Sequence, residues 1–165
     1  MRVLQGTGVS PGVNVGMPIN IERTLDFSIS ATISLDEGIK ELTAKYKSII
    51  EKYNSSSREI EAEVLEAYIL ILNDPELINS LSELNEANLE QIYDVFLEQS
   101  EVFKQMDDEY FQQRSEDIEA IGKELIFTLQ DISIEFDADV PQVIFANELT
   151  PNETSSMNLN LVKGF

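Results

Sequence analysis

At 165 residues with 42% hydrophobic content, the chain fits one domain or slightly more around a packed core, and no apolar run approaches the roughly 18 residues needed to cross a bilayer. Its 31 acidic against 11 basic residues leave a net charge of −20, which argues strongly against a nucleic-acid partner and favours basic proteins, plain solubility being the competing reading. With neither cysteine nor histidine, disulfides, thiolate chemistry, Ser-His-Asp triads and histidine-containing metal sites are all excluded. The amino terminus carries Arg2 without an apolar signal core, so a cytoplasmic protein without membrane association is expected.

Chemistry is first suggested by GTGVSPGVNVG, residues 6–16. A dinucleotide fingerprint needs Gly-x-Gly-x-x-Gly between a strand and a helix, and here the third glycine comes one residue late. A phosphate loop needs Gly-Lys-Ser/Thr, yet the first lysine is Lys40. Pro11 and the β-branched residues after it deny an immediate helix, so the segment reads as a turn between strands. Alternation in RVLQGTGV and FSISATIS predicts further strands within residues 1–33.

Residues 34–135 read as helix almost throughout. Ser34 followed by Glu37 forms a capping box, and the stripe Ile39, Leu42, Tyr46, Ile49 and Tyr53 steps by threes and fours as one helix face must. The serines of NSSS at 54–57 interrupt it and cap a second helix with the inward stripe Ile60, Val64, Tyr68, Ile71 and Leu72. Asp74 then caps a short helix at 75–84, with Pro75 at the first position where its missing N–H is no loss. Asn85 starts a fourth helix with Leu89, Ile92, Phe96, Phe103 and Met106 inward. A fifth runs from about Asp107 to Gln130 and buries Phe111, Ile118, Ile121, Leu125 and Leu129. Two antiparallel hairpins with a short helix between them result.

Residues 136–165 return to strand and turn signals, with Pro141 before QVIFA and a closing NLVKGF. A helical block flanked by β-type segments predicts an α+β chain in which the helices are inserted into one α/β unit. The expected divisions are 1–33, 34–135 and 136–165.

Between Asp74 and Glu119 there are 14 acidic residues against only Lys104 and Arg114. DDEY at 107–110 lacks the spacing of a calcium loop and is ordinary complementation of a helix dipole. No pair of carboxylates stands out as an acid–base couple. Beside the acidic segment, YILILNDPEL offers more aliphatics than one helix face buries. Exposed aliphatics rimmed by carboxylates make a docking patch for a basic protein; a short helix buried on both sides is the competing reading.

GVSPGVNVG, AYILILNDPEL, MDDEYFQQRSEDIEAIGKEL and NELTPNETSSMNL occur in this order along the chain. Together they resemble the amino-terminal region of Enzyme I of the bacterial phosphoenolpyruvate:sugar phosphotransferase system. The resemblance implies a helical domain that binds the small phosphocarrier HPr, inserted in an α/β swivelling domain that bears a phosphohistidine. It places the HPr-binding surface on Glu59, Tyr68, Leu70, Ile71, Asp74, Glu76 and Leu77, with Phe111 and Arg114 from the last helix. Thr154 corresponds to a threonine that positions the active histidine. That histidine would follow the LVKGF strand, so the resemblance implies a fragment that is inactive alone, with no cofactor of its own. Mg²⁺ and homodimerisation belong to other regions of the full-length family.

Several positions depart from the family pattern. Tyr68 stands where histidine is frequent, Glu61 and Glu124 where basic residues are, and Ala120 where aspartate is common. Two other readings remain: a stand-alone acidic adaptor for a basic protein, and the related module of a nitrogen-regulatory or dihydroxyacetone kinase phosphotransferase protein.

Overall fold

The computed structural model describes residues 12–21, 23–84, 88–133, 139–146, 149–158 and 160–164. The chain divides into two compact units: residues 1–22, 136–148 and 157–165 in one, and 23–135 with 149–156 in the other.

The first unit carries a sheet of three parallel strands in the order β1-β2-β3, namely β1 (Met17–Ile21), β2 (Gln142–Ala146) and β3 (Val162–Gly164). β1 and β2 pair in continuous register from Met17 with Gln142 to Ile21 with Ala146. The register shifts between Gln142 and Val143 where β3 joins. QVIFA is therefore a strand, as its composition predicts, and Val162–Gly164 of the closing segment is another, with Ile21 and Ile144 buried. A Cβ on Gly16 would lie 2.8 Å from the carbonyl oxygen of Pro141, so this last glycine of the opening motif permits close approach of β1 to β2. RVLQGTGV and the earlier glycines at 6 and 8 lie outside the described residues.

The second unit is helical: α1 (Leu35–Ser55), α2 (Glu59–Leu72), α3 (Pro75–Ser82), α4 (Leu89–Lys104), α5 (Glu109–Leu129) and the short α6 (Pro151–Ser156). The capping box at the start of α1 is present: Glu37 N–H donates to Ser34 Oγ at 3.3 Å, and Ser34 N–H to Glu37 Oε2 at 3.1 Å. Leu42, Tyr46, Ile49 and Tyr53 line the buried face of α1, while Ile39 is half-buried. The serines after α1 finish that helix rather than start the next. Ser55 and Ser56 hydroxyls each donate to the Lys52 carbonyl at 2.8 Å, Ser57 takes a left-handed φ of 55°, and Arg58 precedes α2 without a side-chain cap. Similarly, Asn88 caps α4 through Gln91 N–H at 3.1 Å; Asn85 lies outside the described residues.

The core runs through all five long and short helices from α1 to α5, with Tyr46, Leu65, Leu72, Leu77, Ile92, Phe96 and Leu125 fully buried. Ile118, Ile121, Leu125 and Leu129 of α5 are buried as their spacing requires, whereas Met106 is exposed and Phe103 only half-buried. The side chain of Phe111 lies outside the described residues.

FSISATIS is not a strand. Phe27, Ala31 and Ile33 pack on the helical core, and the backbone is tied to the end of α5 instead of to a sheet. Gln130 Nε2 donates to the carbonyls of Asp26 (2.8 Å) and Ile29 (2.9 Å), and Thr32 N–H to that of Leu129 (2.7 Å). Residues 23–33 consequently belong to the helical unit, although the sequence division placed them before it. Residues 149–156 do too: Glu153 of α6 meets Arg23 at 3.2 Å, and the Arg23 guanidinium lies 4.6 Å from the centre of the Phe127 ring.

Candidate functional site

The buried face of α2 is Ala62, Leu65, Tyr68 and Leu72, not the stripe through Ile60, which is 76% exposed. That rotation decides the fate of YILIL. Tyr68 and Leu72 point inward, Ile69 and Ile71 are half-buried, and Leu70 is left 74% exposed.

The chain then turns sharply. Asn73 closes α2 by donating from its side chain to the Ile69 carbonyl at 2.8 Å. Asp74 opens α3, its Oδ1 accepting from the N–H groups of Glu76 (2.9 Å) and Leu77 (3.2 Å), with Pro75 at the first position. The cap therefore fixes one carboxylate oxygen of Asp74 and sets the corner that carries Glu76.

This corner faces α4 across a groove of about 430 Å³ lined by Leu70, Ile71, Asp74, Glu76, Gln99, Val102, Phe103 and Ile118. Four residues assigned to the docking surface by resemblance thus lie together. Leu70 and Val102, the latter 58% exposed, give it aliphatic character; the two acids supply its charge. Gln99, Val102 and Phe103 were not among the sequence candidates. The one signal for them was Val102 beside Phe103, an extra apolar residue beyond the inward stripe of α4.

The remaining candidates sit elsewhere. Leu77 is fully buried in the core and Tyr68 is 5% exposed, so neither presents its body to a partner. Glu59 is exposed in the first turn of α2, about 16 Å along the axis from Leu70 at 1.5 Å per residue. Phe111 lies within α5, but its side chain is outside the described residues. Arg114 is half-buried on α5 and donates from Nη1 to Asp117 Oδ2 at 2.8 Å. Thr154, in α6, donates from its hydroxyl to the Thr150 carbonyl at 3.2 Å, a helical back-bond.

Tyr68 reaches Asp117 as well, donating from its hydroxyl to Oδ1 at 2.8 Å. Its ring packs edge-on against Tyr46, centroids 5.8 Å apart, and Tyr46 donates to Glu124 Oε2 at 2.7 Å. Glu124 is 4% exposed, and burial raises its carboxyl above the ordinary value of 4.5. The charge of Glu153 pushes the same way, against the hydrogen bond from Tyr46. Because the folded value exceeds the unfolded one, this group's stabilising contribution is full below about 4.5 and is lost as pH rises through the folded value. Glu124→Gln removes that loss while keeping an acceptor for Tyr46. Urea midpoints should show the variant gaining on the parent as pH rises from 4.5 to 7.5; a gap independent of pH would contradict a raised carboxyl.

Among the described residues no group of three or more aspartate or glutamate side chains is placed to hold a metal ion. Among the same residues no helix is long and apolar enough to cross a membrane.

The groove can be set beside known proteins. The family model described as PEP-utilising enzyme, N-terminal, matches residues 5–114. The chain is 29% identical over 181 aligned positions to the phosphoenolpyruvate-protein phosphotransferase of Listeria monocytogenes, covering 99% of this chain and 31% of that protein. It is 27% identical to the Bacillus subtilis protein of the same name, covering all of this chain and 31% of the relative. The chain thus spans about a third of the length of these curated relatives. Among solved structures it is similar to the N-terminal domain of the nitrogen Enzyme 1, with a TM-score of 0.65 and 19% identity over 93% of this chain and 69% of the other. An Enzyme I solution structure, nEIt, matches with a TM-score of 0.56 and 23% identity over 90% and 66%. At these identities the structures share the fold.

Proposed function

The chain belongs to the N-terminal family of PEP-utilising enzymes, and from that membership we propose that it is the carrier-docking region of a phosphoenolpyruvate-protein phosphotransferase, an Enzyme I. In this reading the parent protein moves a phosphoryl group from phosphoenolpyruvate to one of its own histidines and on to HPr. The 165 residues contain no histidine, so their part is to hold and orient the carrier, and a histidine outside them carries the phosphoryl group. The location is the cytoplasm. Any pairing of the parent and any Mg²⁺ it uses belong to regions outside this sequence.

One observation carries the reading. The α2–α3 corner brings exposed Leu70 and half-buried Ile71 into one groove with Asp74 and Glu76. A basic, partly apolar partner would be steered by the carboxylates and held by the aliphatics. The wider acidic stretch from Asp74 to Glu119 extends the attraction beyond contact.

Calorimetric titration of the chain with HPr tests this. One-to-one binding is expected, weakening as salt is raised because rim charges are screened. No binding at low salt would reject the docking role. Incubation with labelled phosphoenolpyruvate should leave this chain unlabelled; phosphate uptake would show that it carries the group itself.

A further inference from the structure

We infer that Asp117 is a positioning residue of the docking face, gripping Arg114 of α5 and Tyr68 of α2 with its two carboxylate oxygens and so fixing the guanidinium one turn from Ile118 of the groove. The inference rests on the docking reading above. Its geometric basis is two hydrogen bonds of 2.8 Å, one to each oxygen.

An arginine and an aspartate three residues apart on an open helix form a weak pair, because both side chains wander and water screens them. Here the second hydrogen bond changes the case. Tyr68 is buried, its ring set against Tyr46, so its hydroxyl occupies a defined place in the core. Burial, followed by the charge of Asp117, raises the phenol far above its ordinary value, so it stays a donor at every working pH. Asp117 is consequently held from the core side and offers its other oxygen to Arg114 in a fixed direction. Arg114 and Asp117 side chains keep 27% and 23% exposure, so the pair lies at the surface where a partner arrives.

The placement matters because positive charge is scarce there. Between Asp74 and Glu119 the only other base is Lys104, which is engaged with Glu119 across α4 and α5. A cation fixed among carboxylates gives a basic partner one place to avoid and any anionic group on that partner one place to meet. Asp117 therefore sets orientation as well as affinity. This also assigns a use to Tyr68, which is too buried to touch the partner itself.

The test is a mutant cycle on the whole chain, with Bacillus subtilis HPr as the binding probe. Asp117→Asn keeps an acceptor for Tyr68 and removes the charge that holds Arg114. Glu116→Gln makes the same change in net charge at the exposed neighbouring position and is the control. Asp117→Asn should weaken binding about 5-fold or more, through faster dissociation, and Glu116→Gln less than 2-fold. Arg114→Ala should weaken binding similarly, and the Arg114→Ala/Asp117→Asn double variant no further, because one side chain acts through the other. In the uncomplexed chain, resolved Arg114 guanidinium proton signals should collapse in Asp117→Asn and persist in Glu116→Gln.

Equal effects of the two neutralisations, additive losses in the double variant, or guanidinium signals unchanged in Asp117→Asn would each overturn the inference. Failure of the parent chain to bind HPr would instead reject the docking reading, and the guanidinium signals would still decide whether Asp117 grips Arg114.

Discussion

Leu70→Asp should weaken HPr binding by about 30-fold or more while leaving thermal stability almost unchanged. The side chain is 74% exposed on the outer face of α2, so its replacement removes little buried area from the fold. Surface changes of this kind cost the folded state within about 0.5 kcal/mol. In the proposed complex, the same aliphatic surface is desolvated at the centre of the groove, where loss of a hot-spot contact costs about 2 kcal/mol or more. The new carboxylate would be buried against the partner, adding to the loss despite favourable long-range charge.

The matching control is Leu77→Asp, which should unfold the unit because Leu77 is fully buried. Two neighbours only seven positions apart in sequence thus separate docking from folding. If Leu70→Asp binds as the parent does, the groove is not the docking face. For charge, Asp74→Asn with Glu76→Gln is cleaner than reversal, since asparagine preserves the cap of α3 while the negative rim is lost.

Gly122→Val should strongly destabilise the helical unit. A Cβ at this position would lie 2.8 Å from both Cβ and Cγ of Phe96 and 3.2 Å from Cδ2 of Tyr93. Phe96 is fully buried on α4, so it has no open side to swing toward. Overpacking costs about 1 to 3 kcal/mol, and a β-branched residue adds atoms where even the first does not fit. Gly122→Ala separates the terms: alanine gains roughly 1 kcal/mol of helix propensity, and the clash must exceed that for net destabilisation. A net loss is expected, read as a lower urea midpoint at unchanged slope. An unchanged or higher midpoint would mean that α4 and α5 part cheaply. Since α4 also supplies Gln99, Val102 and Phe103 to the groove, both variants should weaken HPr binding beyond what global stability explains.

The limits of sequence reading follow from particular residues. Local signals with a single mechanism translated directly: the Ser34–Glu37 box, Asp74 before Pro75, and the buried stripe of α5. The phase of α2 did not, because EIEAEVLEAYILIL supplies apolar residues in nearly every direction. Its buried face also includes Ala62, which a search for large side chains passes over. FSISATIS alternates as a strand would, but alternation says nothing about which backbone groups are available nearby. The partners here are Gln130 and the end of α5, far away in sequence. Within the groove, Leu70, Ile71, Asp74 and Glu76 were legible through one continuous motif and the resemblance attached to it. Val102 and the Asp117 link to Tyr68 were not, since both depend on how α2, α4 and α5 meet across the fold.

The parallel pairing of Met17 with Gln142 also governs the order in which the molecule forms. Helical turns and the α4–α5 hairpin need only nearby residues and form fast, whereas a strand pair so distant in sequence waits on closure of a very long loop. During synthesis β1 emerges ahead of the helical insert and cannot pair with β2 until the whole insert and then β2 have left the ribosome. Through that interval its hydrogen-bonding edge is open to other chains. Early folding of the helices shortens the effective loop and so the interval of exposure, and variants that destabilise the helical unit, such as Gly122→Val, should lose soluble yield.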